Sequence, residues 1–175
     1  MYTVFSSSLN SDSCSRLLAR AAVEIFTQSG CEAQLIDLAE IQLPFCDAGD
    51  CYSHDSAVQC REAIEQSDGI LIAAPVYNYD LSAAAKNLIE LTGRAWTNKV
   101  VGFMAAAGGS GSYMSVMGLA NSLMLDFRAT IVPRFVYATG ECFVNGVIKN
   151  DDVRTRVEQL VLETVRYSRA LNTPE

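Results

Sequence analysis

Strand-like and helical patterns alternate along the chain and predict an α/β fold, a doubly wound sandwich on a five-stranded parallel sheet. Three observations carry this expectation. Five short apolar segments alternate with five segments of helical periodicity. One of the apolar segments, residues 69–74, is continuous, as a strand covered on both faces must be, and residues 99–107 read as another buried strand. The intervening stretches are long enough to carry the helical crossovers that parallel strands require.

Residues 2–5 (Tyr-Thr-Val-Phe) read as the first strand. Polar residues 6–13 follow, then a helix with Leu18, Ala21, Ala22, Ile25 and Phe26 on one face, stopped near Gly30. Residues 33–38 form the second strand, and residues 43–55, with Pro44, Gly49 and three acidic residues, a loop before a helix over 57–66. The third strand, 69–74, ends at Pro75 and leads to a helix over 81–93. The fourth, 99–107, is followed by a glycine/serine loop over 108–112. Next comes a helix over 113–127 whose Val116, Met117, Ala120, Leu123 and Met124 share a face. The fifth strand, 129–137, contains Pro133, which marks an edge or a bend. Asn145-Gly146 signals a tight turn, and residues 151–171 form the last helix, with Val153, Val157, Leu160, Val161, Thr164 and Tyr167 in register. With no repeat, linker or low-complexity segment, residues 1–175 read as one domain.

Composition narrows the function. The 13 basic and 20 acidic residues give a net charge of −7 without a Lys/Arg cluster, so neither nucleic acid nor an anionic membrane finds a surface here, and a small molecule is the expected partner. Apolar runs fall far short of the roughly 20 residues of a membrane span, and the first residues lack a basic leader, so the expected location is the cytoplasm. The six cysteines are then expected to be free thiols.

In a doubly wound sheet, ligands collect beyond the carboxyl ends of the strands, which directs attention to three loops. The loop after the first strand, Ser6-Ser7-Ser8-Leu9-Asn10-Ser11-Asp12-Ser13-Cys14-Ser15, is dense in hydroxyls and opens onto a helix N-terminus, where free amides and the helix dipole favour an anion; Ser13 or Ser15 also suits an N-cap. It has neither the glycines of G-x-G-x-x-G nor the Lys of G-x-x-x-x-G-K-[ST], which leaves a mononucleotide phosphate as the fit. The loop after the third strand, Pro75-Val76-Tyr77-Asn78-Tyr79-Asp80, offers aromatic surface, and Lys86-Asn87 follows on the next helix. The loop after the fourth strand is Gly108-Gly109-Ser110-Gly111.

This pattern resembles the NADPH-dependent FMN reductase family, whose Pro-Glu-Tyr-Asn is followed eight residues after the Asn by Lys-Asn, and whose first loop has the form G-S-x-R-x-x-S-x-N-x-x-L-A. The resemblance runs over nearly the whole chain. It implies a flavodoxin-like sheet of strand order 2-1-3-4-5, an assembly into a homodimer or homotetramer, and FMN as cofactor with NAD(P)H as electron donor. It further implies that Ser8, Ser13 and Ser15 hold the FMN phosphate, that Pro75, Tyr77 and Asn78 meet the ribityl chain and isoalloxazine, and that residues 108–110 (Gly108, Gly109, Ser110) meet the pyrimidine end. Asn10, Cys14, Val76 and Ala107 complete the lining of these loops. The chemistry then belongs to the flavin, with hydride arriving at N5 and leaving to a quinone, a flavin, an azo compound or an oxyanion, and no catalytic acid or base is required of the protein. The alternative is a flavodoxin-like electron carrier, or a flavin-binding protein without turnover of its own, and the acidic charge suits a carrier. Departures from the pattern stand out: Asn10 replaces the family Arg, Asp12 adds a charge beside the expected phosphate, Val76 replaces Glu, and Asp80, Ser82, Ala83 and Ala85 replace Ser, Pro, Gly and Leu. Losing the Arg removes one basis for preferring NADPH to NADH.

Other constellations are weaker. Cys46, Cys51, His54 and Cys60 invite a metal centre, and related iron–sulfur flavoproteins carry four cysteines in this part of the chain. The intervals here are wider and one ligand would have to be His, so ordinary thiols and no metal are expected. Cys14 and Arg20 match the C-x5-R spacing of a phosphatase loop, but Leu17-Leu18-Ala19 begin a helix instead of wrapping a phosphate. Gly109-Ser110-Gly111 does not complete G-x-S-x-G, and the only histidine, His54, is remote in sequence.

Overall fold

The computed structural model describes residues 1–171. The strands β1 (Tyr2–Ser6), β2 (Ala33–Asp37) and β3 (Gly69–Tyr77) are followed by the short β4 (Asp80–Leu81), then β5 (Val100–Ala107), β6 (Thr130–Ile131) and β7 (Val136–Thr139). A hairpin of β8 (Phe143–Val144) and β9 (Val147–Ile148) stands apart, and the helices are α1 (Cys14–Gln28), α2 (Asp55–Glu65), α3 (Ala83–Thr92), α4 (Met117–Phe127) and α5 (Asp151–Leu171). β1 pairs in parallel with both β2 and β3, β3 with β5, and β5 with both β6 and β7. With β6 and β7 as one interrupted strand, the order is the expected 2-1-3-4-5. The interruption surrounds Pro133, which has no N–H to offer the ladder.

Each long strand divides its side chains by the two-residue period of a pleated sheet. Phe5, Ile70, Ile72, Ala74, Val101, Phe103 and Ala105 face one layer, where α2, α3 and α4 bring Cys60, Ile64, Leu88, Ile89, Leu119 and Leu123. Tyr2, Val4, Leu71, Ala73, Val100, Met104 and Ala106 face the other, covered by α1 and α5 through Leu18, Ala22, Phe26, Val157, Leu160 and Val161. The apolar runs of β3 and β5 are therefore two interleaved half-faces, each with its own core.

Local departures from expectation have local causes. The helix expected over 113–127 starts only at Met117, because Ser110–Val116 winds as 3-10 turns. Val116, Leu119, Ala120 and Leu123 are buried, whereas Met117 and Met124 are exposed. Periodicity fixes the spacing of an apolar stripe, and the sheet decides which flank of it is covered. The loop expected from Pro75 to Asp80 contains a hairpin, because β4 turns back antiparallel on the end of β3. Asn145 and Gly146, with φ of 50° and 74°, form the tight turn expected between β8 and β9.

Gly69, at the start of β3, is where α5 and Tyr2 close on the sheet: an added Cβ would lie 2.8 Å from Thr164 Cγ2 and 3.2 Å from the Tyr2 ring. Thr164 has little room to turn, since its hydroxyl donates to the Leu160 carbonyl at 2.7 Å. Gly69→Ala is expected to destabilise the fold by about 1–3 kcal/mol through overpacking. Urea unfolding should show a lower midpoint at unchanged slope.

Candidate functional site

The strand order reverses between β1 and β3. The chain leaves β1 for β2 on one side and reaches β3 on the other, so the loops beyond their carboxyl ends diverge and leave a crevice. A serine pair stitches its floor. Ser7 N donates to the Ala73 carbonyl at 2.9 Å, Ser7 Oγ lies 3.0 Å from Ser82 Oγ, and Ser82 Oγ donates back to the Ser7 carbonyl at 3.2 Å. Ser82 also caps α3, accepting from Ala85 N. In the sequence Ser82 is marked only by standing where the family has Pro; its hydrogen-bond neighbour is 75 residues away.

In the first loop, Ser13 is the N-cap of α1, its hydroxyl accepting from Arg16 N at 3.1 Å and lying 3.0 Å from Ser15 Oγ. Ser8 Oγ accepts from Asn10 N, and Asn10 Oδ1 accepts from Asp12 N. Ser8, Ser13 and Ser15 are buried, Asn10 and Asp12 are exposed, and Cys14 is half-buried. The amides of Cys14 and Ser15 open the first turn, where a helix has no acceptor for them, at the positive end of its dipole. Burial, followed by the nearby Cys142, pushes the Cys14 thiol up from its ordinary range. That is the opposite of what a phosphatase nucleophile needs.

In the second loop, Val76 pairs with Leu81 and Tyr77 with Asp80 around a two-residue turn. Asn78 and Tyr79 both have positive φ, 51° and 68°, as in a type I′ turn. For Tyr79, whose Cβ disfavours that region, the conformation costs about 1–2 kcal/mol. Tyr77 and Tyr79 are both exposed, and Val76 is half-buried against the α2–α4 layer. The Pro75 carbonyl accepts from Ser82 N at 3.1 Å, which fixes the base of the hairpin.

In the third loop, Ala107 ends β5 buried, while Gly108, Gly109 and Ser110 are exposed. A Cβ at Gly108, Gly109 or Gly111 would meet nothing within 4 Å, so these glycines border open space. The loop is held from behind by Tyr137, whose hydroxyl donates to the Gly109 carbonyl and whose ring lies 5.5 Å from that of Tyr113. The buried Ser115 Oγ has no partner among the described residues.

Together the three loops offer hydroxyls and helix-start amides for a dianion, exposed tyrosines and a hairpin for a planar ring, and a bare glycine backbone for its polar edge. That donor set fits FMN, and the fold with its site is that of a flavodoxin-like flavoprotein. The model of the NADPH-dependent FMN reductase family matches residues 2–143, and the chain belongs to this family; it is an FMN-dependent NAD(P)H oxidoreductase. It is 30% identical over 145 residues to an NAD(P)H-dependent FAD/FMN reductase of Geobacillus thermodenitrificans, covering 81% of this chain and 78% of that one. It is 28% identical over 166 residues to an NAD(P)H:quinone oxidoreductase of Solanum tuberosum, covering 89% and 86%. Its fold matches that of FerB, a flavoenzyme NAD(P)H:(acceptor) oxidoreductase from Paracoccus denitrificans, with TM-score 0.79 at 19% identity over 97% of each chain.

Of the Cys/His group over residues 46–60, only Cys46 and Cys51 come together. Cys60 is fully buried in the α2–α4 layer, Cys51 is buried beside Ala57 and Leu91, and His54 caps α2. Among the described residues no three His, Cys, Asp or Glu side chains come together to hold a metal. Asn87 anchors the loop: it accepts from Cys46 N at 2.9 Å and donates to the Pro44 carbonyl at 2.8 Å, a role its place in the Lys-Asn motif did not reveal. The Tyr52 hydroxyl and then the Ala48 backbone hold the Cys46 thiol below its ordinary range, whereas burial pushes Cys60 up to about 11. At neutral pH, iodoacetamide is expected to label Cys46 first and Cys60 only on unfolding. Peptide mass mapping over time checks this, and equal rates at the two sites would contradict it.

Proposed function

We propose that FMN lies across the three loops with its phosphate over the start of α1, and that the enzyme reduces a quinone, a flavin, an azo compound or an oxyanion. The observation that carries this reading is the crevice that the loops leave at the β1/β3 switch point, with open space over Gly108 and Gly109 on the loop after β5 and two exposed tyrosines, Tyr77 and Tyr79, at the end of β3. Ser8, Ser13 and Ser15, with the Cys14 and Ser15 amides and Asn10 alongside, hold the phosphate. Pro75, Val76, Tyr77 and Asn78 orient the ribityl chain and ring, and Ala107, Gly108, Gly109 and Ser110 turn backbone toward the pyrimidine edge. Bound FMN supplies hydride acceptance and delivery at N5. The protein's own work is to fix the ring, leave one face open to donor and acceptor in turn, and set backbone dipoles where reduced flavin carries charge.

The reading takes the chain as one flavin-binding domain of the cytoplasm, assembled as a homodimer or homotetramer; the exposed Met117, Met124 and Leu125 of α4 offer apolar surface for a second copy. No helix among the described residues is long and apolar enough to cross a membrane.

Steady-state oxidation of NADH or NADPH by the FMN-loaded protein with menadione as acceptor is expected to proceed without a second protein. A requirement for a separate reductase would instead identify an electron carrier.

The phosphate position makes two neighbouring changes act with opposite sign. Ser13→Asp replaces a donor with a carboxylate, losing a charged hydrogen bond of about 1.5–3 kcal/mol, so FMN affinity is expected to fall at least about tenfold. Asp is itself a good N-cap, so the fold survives. Asp12→Asn removes an exposed negative charge near the same phosphate and is expected to leave FMN binding unchanged or tighter, most visibly at low salt. FMN titration of the two apo variants, with circular dichroism as control, reads both signs; undiminished affinity in Ser13→Asp would move the phosphate elsewhere.

A further inference from the structure

We infer that Arg16, although the flavin would not touch it, sets the conformation in which the first loop recognises a phosphate, and is therefore a positioning residue for FMN. The inference rests on the phosphate lying at this loop. Arg16 follows the N-cap turn of α1 and is buried, with 8% of its surface exposed. A buried guanidinium is costly unless every charge and donor is matched. Here all are. Nε and Nη2 donate to the two carboxylate oxygens of Asp37, Nη1 donates to the carbonyls of Asn10 and Ser11 at 2.8 and 2.9 Å, and Nη2 also donates to that of Ser8 at 3.1 Å. These bonds use the five N–H donors of an arginine fork. Asp37 is itself fixed at the end of β2, opposite Ser6 of β1, and accepts from Ala39 N at 3.1 Å.

The effect on the loop follows from the planarity of the trans peptide, in which the C=O of one residue and the N–H of the next point in opposite directions. Carbonyls 8, 10 and 11 turn inward to Arg16, so the amides of Leu9, Ser11 and Asp12 turn outward. Asn10 Oδ1 takes that of Asp12. Among the described residues no acceptor takes those of Leu9 and Ser11, and outward amides of this kind form an anion-binding concavity. The chain thus lacks the family's loop Arg at position 10 but brings a guanidinium to the loop from behind, six residues later. Its charge is balanced by Asp37, and its contribution is orientation.

The test separates phosphate from ring by comparing FMN with riboflavin, titrated into apo-protein by fluorescence quenching. The double variant Arg16→Met/Asp37→Leu removes both charges together, which spares the fold an unpaired ion. It is expected to lose about tenfold or more in FMN affinity while riboflavin affinity stays within about twofold. Arg16→Lys keeps the charge, and so the fold, but its single nitrogen cannot serve Asp37 and three carbonyls at once; its preference for FMN over riboflavin is expected to fall by at least about threefold. An undiminished preference in either folded variant overturns the inference, as does an equal loss of both ligands, which would show a merely structural role. If the double variant does not fold, Arg16→Lys decides alone. If the unmodified protein binds riboflavin as tightly as FMN, the phosphate is not at this loop, and that is a failure of the underlying reading, distinct from the others.

Discussion

Parallel pairing of β1 with both of its neighbours is the constraint on which the molecule depends. Because Tyr2 to Ser6 is hydrogen-bonded to β2 on one edge and β3 on the other, the chain must cross the sheet once on each face. α1 and α5 therefore lie on one side and α2 to α4 on the other, and the loops that leave β1 and β3 part from each other. The crevice between them is a consequence of topology. It is furnished by loop backbone, which is where a flavin needs amides.

Polar side chains then hold the crevice in one shape. Ser7 and Ser82 satisfy each other across the switch point, Tyr137 steadies the glycine loop, and Asn87 ties the acidic loop over 43–55 to α3. The buried serine pair replaces hydrogen bonds that water would otherwise make, so its value lies in what is lost when it is absent, the desolvation of a buried group of about 1–3 kcal/mol. At the carboxyl end of the sheet the turn after β3 holds two successive residues at positive φ, Asn78 and Tyr79.

The electrostatics are restrained. Arg16, buried behind the first loop, is neutralised by Asp37, and the chain as a whole carries −7. What the first loop offers an anion is dipoles and hydroxyls. The position at which a relative would place a cation is occupied by the exposed Asn10, whose side chain instead closes the turn onto Asp12 N.

Much of this was legible in the sequence because it depends on patterns of near neighbours. Alternating apolar segments give the five strands, Pro133 breaks the last of them, Asn145-Gly146 turns the hairpin, and serines before a helix announce a capped N-terminus. The loops bearing Ser8, Ser13, Pro75, Tyr77 and Gly108 could be found because a parallel sheet places its sites at strand ends. The partners could not. Nothing local to Arg16 shows that it folds back on three carbonyls and reaches a carboxylate on β2, nor local to Asn87 that it holds Pro44 and Cys46. Nor could sequence say which flank of α4 faces solvent. Periodicity and capping are determined within one or two turns of chain, whereas the pairing of buried polar groups depends on which distant segments the sheet brings together, and only the tertiary structure decides that.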